Sequence, residues 1–554
     1  MVKLNSKYLK MEKKRDEGIT LVALVITIIV LLILAGVTIR MATSGSGIFG
    51  RAKNGANTYR EAARNENTAL ESYDSEMDIA ERGKEGTFNE KQKLNAPILK
   101  QGMTPVKFEA DKSDSTKQKV VKTTSDDEEW YNYKNKEWAN AETEDGSLWV
   151  WIPRFAYRIN KDTQSTSVVF LSGTTDTYVD DDGTTHEDVK RCKSADDTID
   201  TSTGWTVHPT FTDESSEAIN FRNGGWDTEL YGIWVAKFEA AYATNDNVSA
   251  NKVNVSSGIN YSQSKVWASS KVYSAEIGKT VSNDGYVSAR NYIDGKYSDK
   301  TTSIKYPTFQ GSSYSMIYIN INDSFNLVKK MTASGNIYGL RNDSDSHIMK
   351  NSEWGAVAYL SKSQYGLGST DISVNSKVYS NNPECTYAGT GYNSEGKQWN
   401  DASITSSNSA STSGNIYGVY DMSGGSWERT AAYVYTTTNN FNAHGKSLVT
   451  SKDKSTKYVT VYPNNQGTAS TENDRSQANY NGDTKIYGDA VKETSTAGTD
   501  KKSWYTDQSI FPEGDYPFFY RGGGAWYGPV AGLFHFHRSN GDGDYIAGFR
   551  AVII

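Results

Sequence analysis

Along the chain the hydrophobic pattern changes character three times. Ile19 to Ile39, ITLVALVITIIVLLILAGVTI, is an uncharged apolar run. At about 1.5 Å per helical residue it reaches roughly 30 Å, the thickness of a hydrocarbon core. The next stretch, to Gly83, holds mostly helix formers with Ala and Leu at irregular three and four spacings, which predicts a helix extended as a stalk. Residues 84–146 are rich in Lys, Asp, Ser and Thr with little periodicity and read as linker, ending in the aromatic segment EEWYNYKNKEWANA. From Ser147 the pattern becomes short aromatic and β-branched runs broken by glycine: SLWVWIPRFAYRI, ELYGIWVAKFEAAY, IYGVYDMSGGSWERTAAYV, FFYRGGGAW and IAGFRAVII. Their alternation predicts strands. One segment, DSHIMKNSEWGAVAYLSKSQYG, predicts a helix, with Asn351 or Ser352 as N-cap and Glu353 in its first turn. Polar insertions at roughly 243–300, 366–412 and 435–510 are too long for ordinary connections and predict elaborated surface loops and small hairpins.

Charge then orients the chain. Lys3, Lys7, Lys10, Lys13, Lys14 and Arg15 precede the apolar run, so the first residues stay in the cytoplasm and everything after Arg40 is exported. With 554 residues, 36% hydrophobic and 12% aromatic, the exported part can bury a sizeable core. The net charge of −7 gives no general attraction to nucleic acid. The two cysteines, Cys192 and Cys385, allow one bridge but no disulfide framework.

The apolar run is too long for a conventional secretory signal and begins directly after Gly18. KKRDEG followed by ITLVALVITIIVLLILAGVTI resembles the leader of type IV prepilins. The resemblance implies a leader of residues 1–18, cut between Gly18 and Ile19 by a prepilin peptidase, and a helix over 19–83 that packs with other pilin subunits. The family usually has glutamate at the fifth mature position, where this chain has Ala23. That departure favours a minor or tip subunit, and a plain single-span anchor is the alternative.

WVWIPRFAYRI, YGIWVAKFEAAY, HIMKNSEWGAVAYL, YGVYDMSGGSWERT, YRGGGAW and GFRAVI, in that order, resemble the successive motifs of the formylglycine-generating-enzyme family, a variant of the C-type lectin fold. The implied fold is α+β, a C-type-lectin-like domain over 147–554 with long polar insertions and with paired N- and C-terminal strands. In YRGGGAW the glycines permit positive φ and close backbone approach, and Trp526 plugs the core beneath. Trp427, Glu428, Arg521 and Arg550 read as a buried hydrogen-bonded scaffold.

Catalysis finds no residues. The catalytic branch of that family holds copper on cysteines near the carboxy terminus, and no cysteine follows Cys385. An iron-dependent branch uses a histidine triad, whereas His186, His208, His347, His444, His535 and His537 are scattered. DDDGTTHED at 180–188 lacks EF-hand spacing, and neither GxSxG nor a phosphate loop occurs. No cofactor or metal is expected.

The end of the chain, VAGLFHFHRSNGDGDY bracketed by RGGGAW and GFR, resembles the variable proteins of diversity-generating retroelements, a non-catalytic branch of the same fold. There, adenine-directed mutation rewrites codons near the carboxy terminus, here about 527–545. Alternation along LFHFHR predicts Phe534 and Phe536 in the core, with Leu533, His535 and His537 outward. Tyr527, His535, His537, Ser539, Asp542, Asp544 and Tyr545 are the expected ligand-binding residues. The expected protein is a bacterial adhesin or receptor of Gram-positive style, membrane-anchored or at a pilus tip, that binds a protein or glycan. A structural minor pilin with a fixed domain is the alternative, and an oxidase of the same fold a distant third.

Overall fold

The computed structural model describes residues 94–554 apart from 111–117, 192–200, 203, 214–224, 243–306, 312–314, 317–318, 342–343, 376–377, 380–381, 387–409, 436–440, 449–455, 484–485, 498–500 and 543–546. The leader, the apolar run 19–39 and the expected stalk lie outside them. Among the described residues no helix is long and apolar enough to cross a membrane.

In chain order the elements used below are β1 (Met103–Ala110), β2 (Gln118–Lys122), β3 (Asn140–Thr143), β4 (Leu148–Pro153) and β5 (Phe155–Asn160). Next come β6 (Ser165–Phe170), β7 (Thr206–Val207), β8 (Gly232–Ala236), α1 (Ile321–Lys329), β9 (Ser346–Ile348) and α2 (Asn351–Ser361). β10 (Trp427–Val434), α3 (Phe441–His444), β11 (Thr460–Tyr462) and α4 (Glu472–Gly482) follow. β12 (Phe518–Arg521), β13 (Phe536–Ser539), β14 (Ala547–Phe549) and β15 (Ala551–Ile553) close the chain. The class is α+β.

A seven-stranded antiparallel sheet has the order β9-β15-β8-β4-β3-β1-β2. Its centre, β4, is buried at every position of LWVWIP, as a strand covered on both faces requires. Trp151 and Trp234 face each other across β4 and β8 with ring centroids 5.3 Å apart. Their indole N–H groups donate to Asn95 O and Ile98 O, which straps residues 94–98 across them. The aromatic runs expected as strands become β4 and β5, β8, β10, β12, and β14 with β15.

The stretch read as linker is corrected by the structure. β1 and β3 belong to the large sheet, and Trp130, Tyr133 and Trp138 are fully buried in the core. Lys and Thr mask the signal there, because β2 is the edge strand and β1 lies next to it, where polar side chains are tolerated.

α2 forms where expected, with its cap one residue earlier. Glu353 Oε2 accepts the Lys350 N–H at 2.8 Å, so Lys350 occupies the cap position. All eleven residues of α2 are buried, and His347 Nε2 contacts Glu353 Oε1 at 2.7 Å beneath its first turn.

The second sheet has the order β11-β10-β12-β13, with β14 alongside β10. β14 and β15 are consecutive strands in different sheets, broken at Arg550. The buried Arg550 side chain pairs with Glu428 through Nε at 3.0 Å and a second contact at 2.5 Å. Its remaining N–H groups reach Ala236 O of β8 and Tyr420 O, each at 2.7 Å. Arg550→Ala leaves Glu428 buried and unpaired, and urea unfolding should show a loss of about 3–5 kcal/mol.

Candidate functional site

The terminal segment begins at the turn after β12. Gly522 and Gly523 have φ of 79° and 71°. A Cβ at Gly523 would lie 2.7 Å from the Ala531 Cα, so only glycine lets the chain double back here, as the sequence implied. Residues 525–530 form a 3-10 turn carrying Tyr527, and β13 then pairs antiparallel with β12, placing His537 opposite Tyr520 and Ser539 opposite Phe518.

β13 is held on both sides. Beyond β12, Ile510 N–H donates to Phe536 O at 2.9 Å, and Phe536 N–H donates to Gln508 O. Gln508 N–H donates to Val530 O at 2.9 Å, and the buried Asp507 carboxylate accepts the Phe534 N–H at 2.8 Å. These clamps come from the insertion 435–510. Rather than a set of surface loops, it also adds a buried cluster in which Tyr462, Tyr480, Val491 and Ile486 pack with Phe511, Phe519 and Phe536.

The expected site residues divide. Tyr527 is half-buried against Trp427, centroids 5.0 Å apart. His537 is half-buried, and Asp542 is exposed with its backbone O accepting from Arg429. His535 and Ser539 are not on the surface: both are buried, at 0% and 2% exposure. Ser539 Oγ accepts from Gly541 N–H at 3.0 Å and from Arg429 at 3.3 Å, so it shapes the turn. Leu533, expected outward, is also fully buried. Asp544 and Tyr545 lie outside the described residues, as do Gly18, Ile19, Cys192 and the Trp526 side chain.

The correction has one cause. Alternation assumes an extended strand with one wet face, but extended pairing starts only at Phe536, and this sheet is covered on both sides. One face packs on the insertion cluster through Phe519 and Phe536. The other carries Trp427, Tyr520 and His537, with Tyr527 over Trp427.

Trp427 and Tyr520 belong to the site without any signal in the sequence, whereas Arg538, opposite Phe519, projects from the insertion side. Trp427 touches four rings: Tyr520 at 4.8 Å, Tyr527 and His537 at 5.0 Å, and His535 at 5.4 Å. Arg538 lies over the Tyr516 ring at 5.2 Å and pairs with Glu472 of α4. Tyr516, 37% exposed, is the one exposed large hydrophobic side chain among the described residues. Nothing in a single sequence brings 427, 520 and 527 together.

Each histidine is tied by Nδ1 to a carbonyl at 2.9 Å, His535 to Val530 O and His537 to Arg538 O. A carbonyl only accepts, so Nδ1 carries the proton and Nε2 presents a lone pair. Burial pushes His535 down to about 3 and His537 down to about 4, and both rings are neutral at physiological pH. Burial also raises the Tyr527 hydroxyl. Among the described residues no three His, Cys, Asp or Glu side chains are grouped to hold a metal ion.

A cavity of about 300 Å³ lies elsewhere, lined by Trp226, Glu229, Tyr231, Asp345 and Lys457 among others. Its carboxylates are occupied, Glu229 by Arg154 and Arg191 and Asp345 by Lys329 and Lys457, and none of the expected binding residues lines it. The chain matches no protein-family model and no curated protein.

The buried imidazole gives a pH signature. Unfolded His535 takes a proton near 6.5, whereas the folded ring stays neutral to about 3, so its contribution is complete above 6.5 and decays as pH falls through that window. Between pH 7.5 and 5 the loss is about 2 kcal/mol. Denaturant unfolding of the His535→Phe variant at both values should show a pH-dependent loss smaller by that amount.

Proposed function

We propose that this chain is a non-catalytic cell-surface or pilus-tip receptor whose C-terminal segment, about 527–545, is a diversified ligand-binding surface on a C-type-lectin-like domain. The observation that carries the proposal is the bonding of β13. Its backbone is fixed from both sides by main-chain groups, and its core contacts come from Phe534 and Phe536. His537, Arg538, Asn540 and Asp542 reach solvent from that frame. Side chains at such positions can change identity without removing the bonds that hold the strand, which is what a diversified recognition segment requires.

The domain reading is supported by the six ordered motifs and by β15, which lies in the same sheet as the N-terminal strands β1, β3 and β4. The bracket residues also act as scaffold: Arg550 joins both sheets, and Arg521 donates to Asp489 O and Ala490 O at 3.0 and 3.1 Å. Anchoring rests on the apolar run 19–39 and the basic residues before it. Tyr527, His537 and Asp542 reach solvent beside the Trp427 ring and give this face the aromatic composition that dominates binding hot spots, while Arg538 and Tyr516 lie on the opposite face of β13 beside α4. The ligand is a protein or a glycan, with no enzyme chemistry required of the site.

The decisive experiment is to read the DNA downstream of the coding sequence for a near-copy of the 527–545 segment that differs only opposite adenines. A near-copy with such differences at the codons for Tyr527 and His537 is expected, and its absence leaves a fixed lectin-like domain. On a ligand selected from displayed protein and glycan panels, Tyr527→Ala with His537→Ala should abolish binding and lower Tm by no more than about 5 °C.

A further inference from the structure

Two polar atoms at the centre of this face have no partner in the fold. Trp427 Nε1, a donor, and His535 Nε2, a lone-pair acceptor, are both buried without a hydrogen bond. Native proteins leave few such atoms, and each needs an explanation. Here they belong to neighbouring rings, with centroids 5.4 Å apart. Tyr527 lies against both, at 5.0 Å from the Trp427 ring and 5.6 Å from His535, and is the more exposed of the three. It sits on the short 525–530 turn, one residue before Gly528, whose φ of 57° and ψ of −131° break the helical path.

We propose that Trp427 and His535 form a polar subsite beneath Tyr527, which takes from the ligand a neutral group that accepts one hydrogen bond and donates another, a hydroxyl or a carboxamide. The inference deepens the binding-surface reading and rests on it. The ligand oxygen accepts from the indole N–H, and its O–H or N–H donates to the imidazole lone pair. Tyr527 moves aside as the group enters.

The surroundings select for neutrality. A carboxylate would meet the His535 lone pair and has no proton to give it. An ammonium would lose its hydration among the Trp427, Tyr527 and His535 rings with no carboxylate of the described residues beside it, the Arg521 guanidinium and the His537 ring being the charged or titratable neighbours that act on His535. The Val530 carbonyl holds the His535 tautomer, so the ring cannot turn its N–H toward the guest without breaking that bond. The subsite thus explains why a histidine placed in the binding segment is fully buried: it reads the part of the ligand that inserts, while His537 and Tyr527 meet the part that stays outside.

Saturation-transfer NMR on the full chain tests this with acetamide and methyl glucoside as probes and with acetate and methylammonium as charged controls. Transfer to a neutral probe and none to the controls is expected. Transfer to acetamide alone marks a carboxamide-bearing ligand, and to methyl glucoside alone a hydroxyl-bearing one. Trp427→Phe and His535→Phe, which keep a ring and delete the polar atom, should each weaken probe binding about tenfold. On the wild type, the His535 imidazole nitrogen signal should shift as the probe is added, which serves if either variant fails to fold. No transfer to either neutral probe, undiminished transfer in both variants, or preference for acetate overturns the proposal. The outcomes separate from those of the binding-surface reading: a retroelement near-copy without probe binding removes the subsite alone, and probe binding without a near-copy removes diversification alone.

Discussion

The fold turns on one guanidinium. Arg550 stands between β14 and β15, at the residue where the chain passes from the smaller sheet to the larger. It pairs with Glu428 on β10 of the smaller sheet and donates to Ala236 O on β8 of the larger. A fully buried charge is tolerated only when its donors are matched, and Glu428, Ala236 and Tyr420 together do so. The ion pair therefore acts less as a source of net stability than as a register pin, because any slip of either sheet would strand two buried charges. Everything C-terminal to β12 is positioned relative to that pin.

The binding segment is built between the pin and the insertion 435–510. The insertion supplies a parallel partner for Phe536 at Ser509, a carboxylate for the Phe534 amide, and an apolar cluster for one face of the sheet. Recognition and stability are thereby assigned to different atoms: main-chain groups and phenylalanines hold the strand, and the polar side chains are left to the ligand. On the Trp427 side the arrangement leaves Tyr527, His537 and Asp542 to solvent, with Trp427 as the aromatic floor.

Burial governs the chemistry of that floor. Two imidazoles that would titrate near neutrality in water are held neutral, each locked in one tautomer by a carbonyl. A neutral, fixed acceptor suits selective hydrogen bonding better than a titrating one, since it does not alternate between donor and acceptor as pH changes.

Much of this could be read from the linear chain. The strands of SLWVWIPRFAYRI and YGIWVAKFEAAY, the helix over Asn351–Ser361 and the glycine turn before Ala531 follow from local pattern, because periodicity and turn chemistry act over a few residues, whereas the scaffold role of Glu428, Arg521 and Arg550 was legible only through the family resemblance, since their partners lie far off in the chain. α4 is hidden because its residues are polar nearly all round, and β1 and β2 because lysine, glutamine and threonine in the last two strands of the sheet look like linker. The site was legible in location and only in part in composition. His535, Ser539 and Leu533 are buried, and Trp427 and Tyr520 are at the face, because what covers each side of a sheet comes from segments distant in the chain. The sequence determines which residues are able to form a strand with alternating faces; only the tertiary structure decides whether either face meets water, since burial depends on what distant chain packs above it.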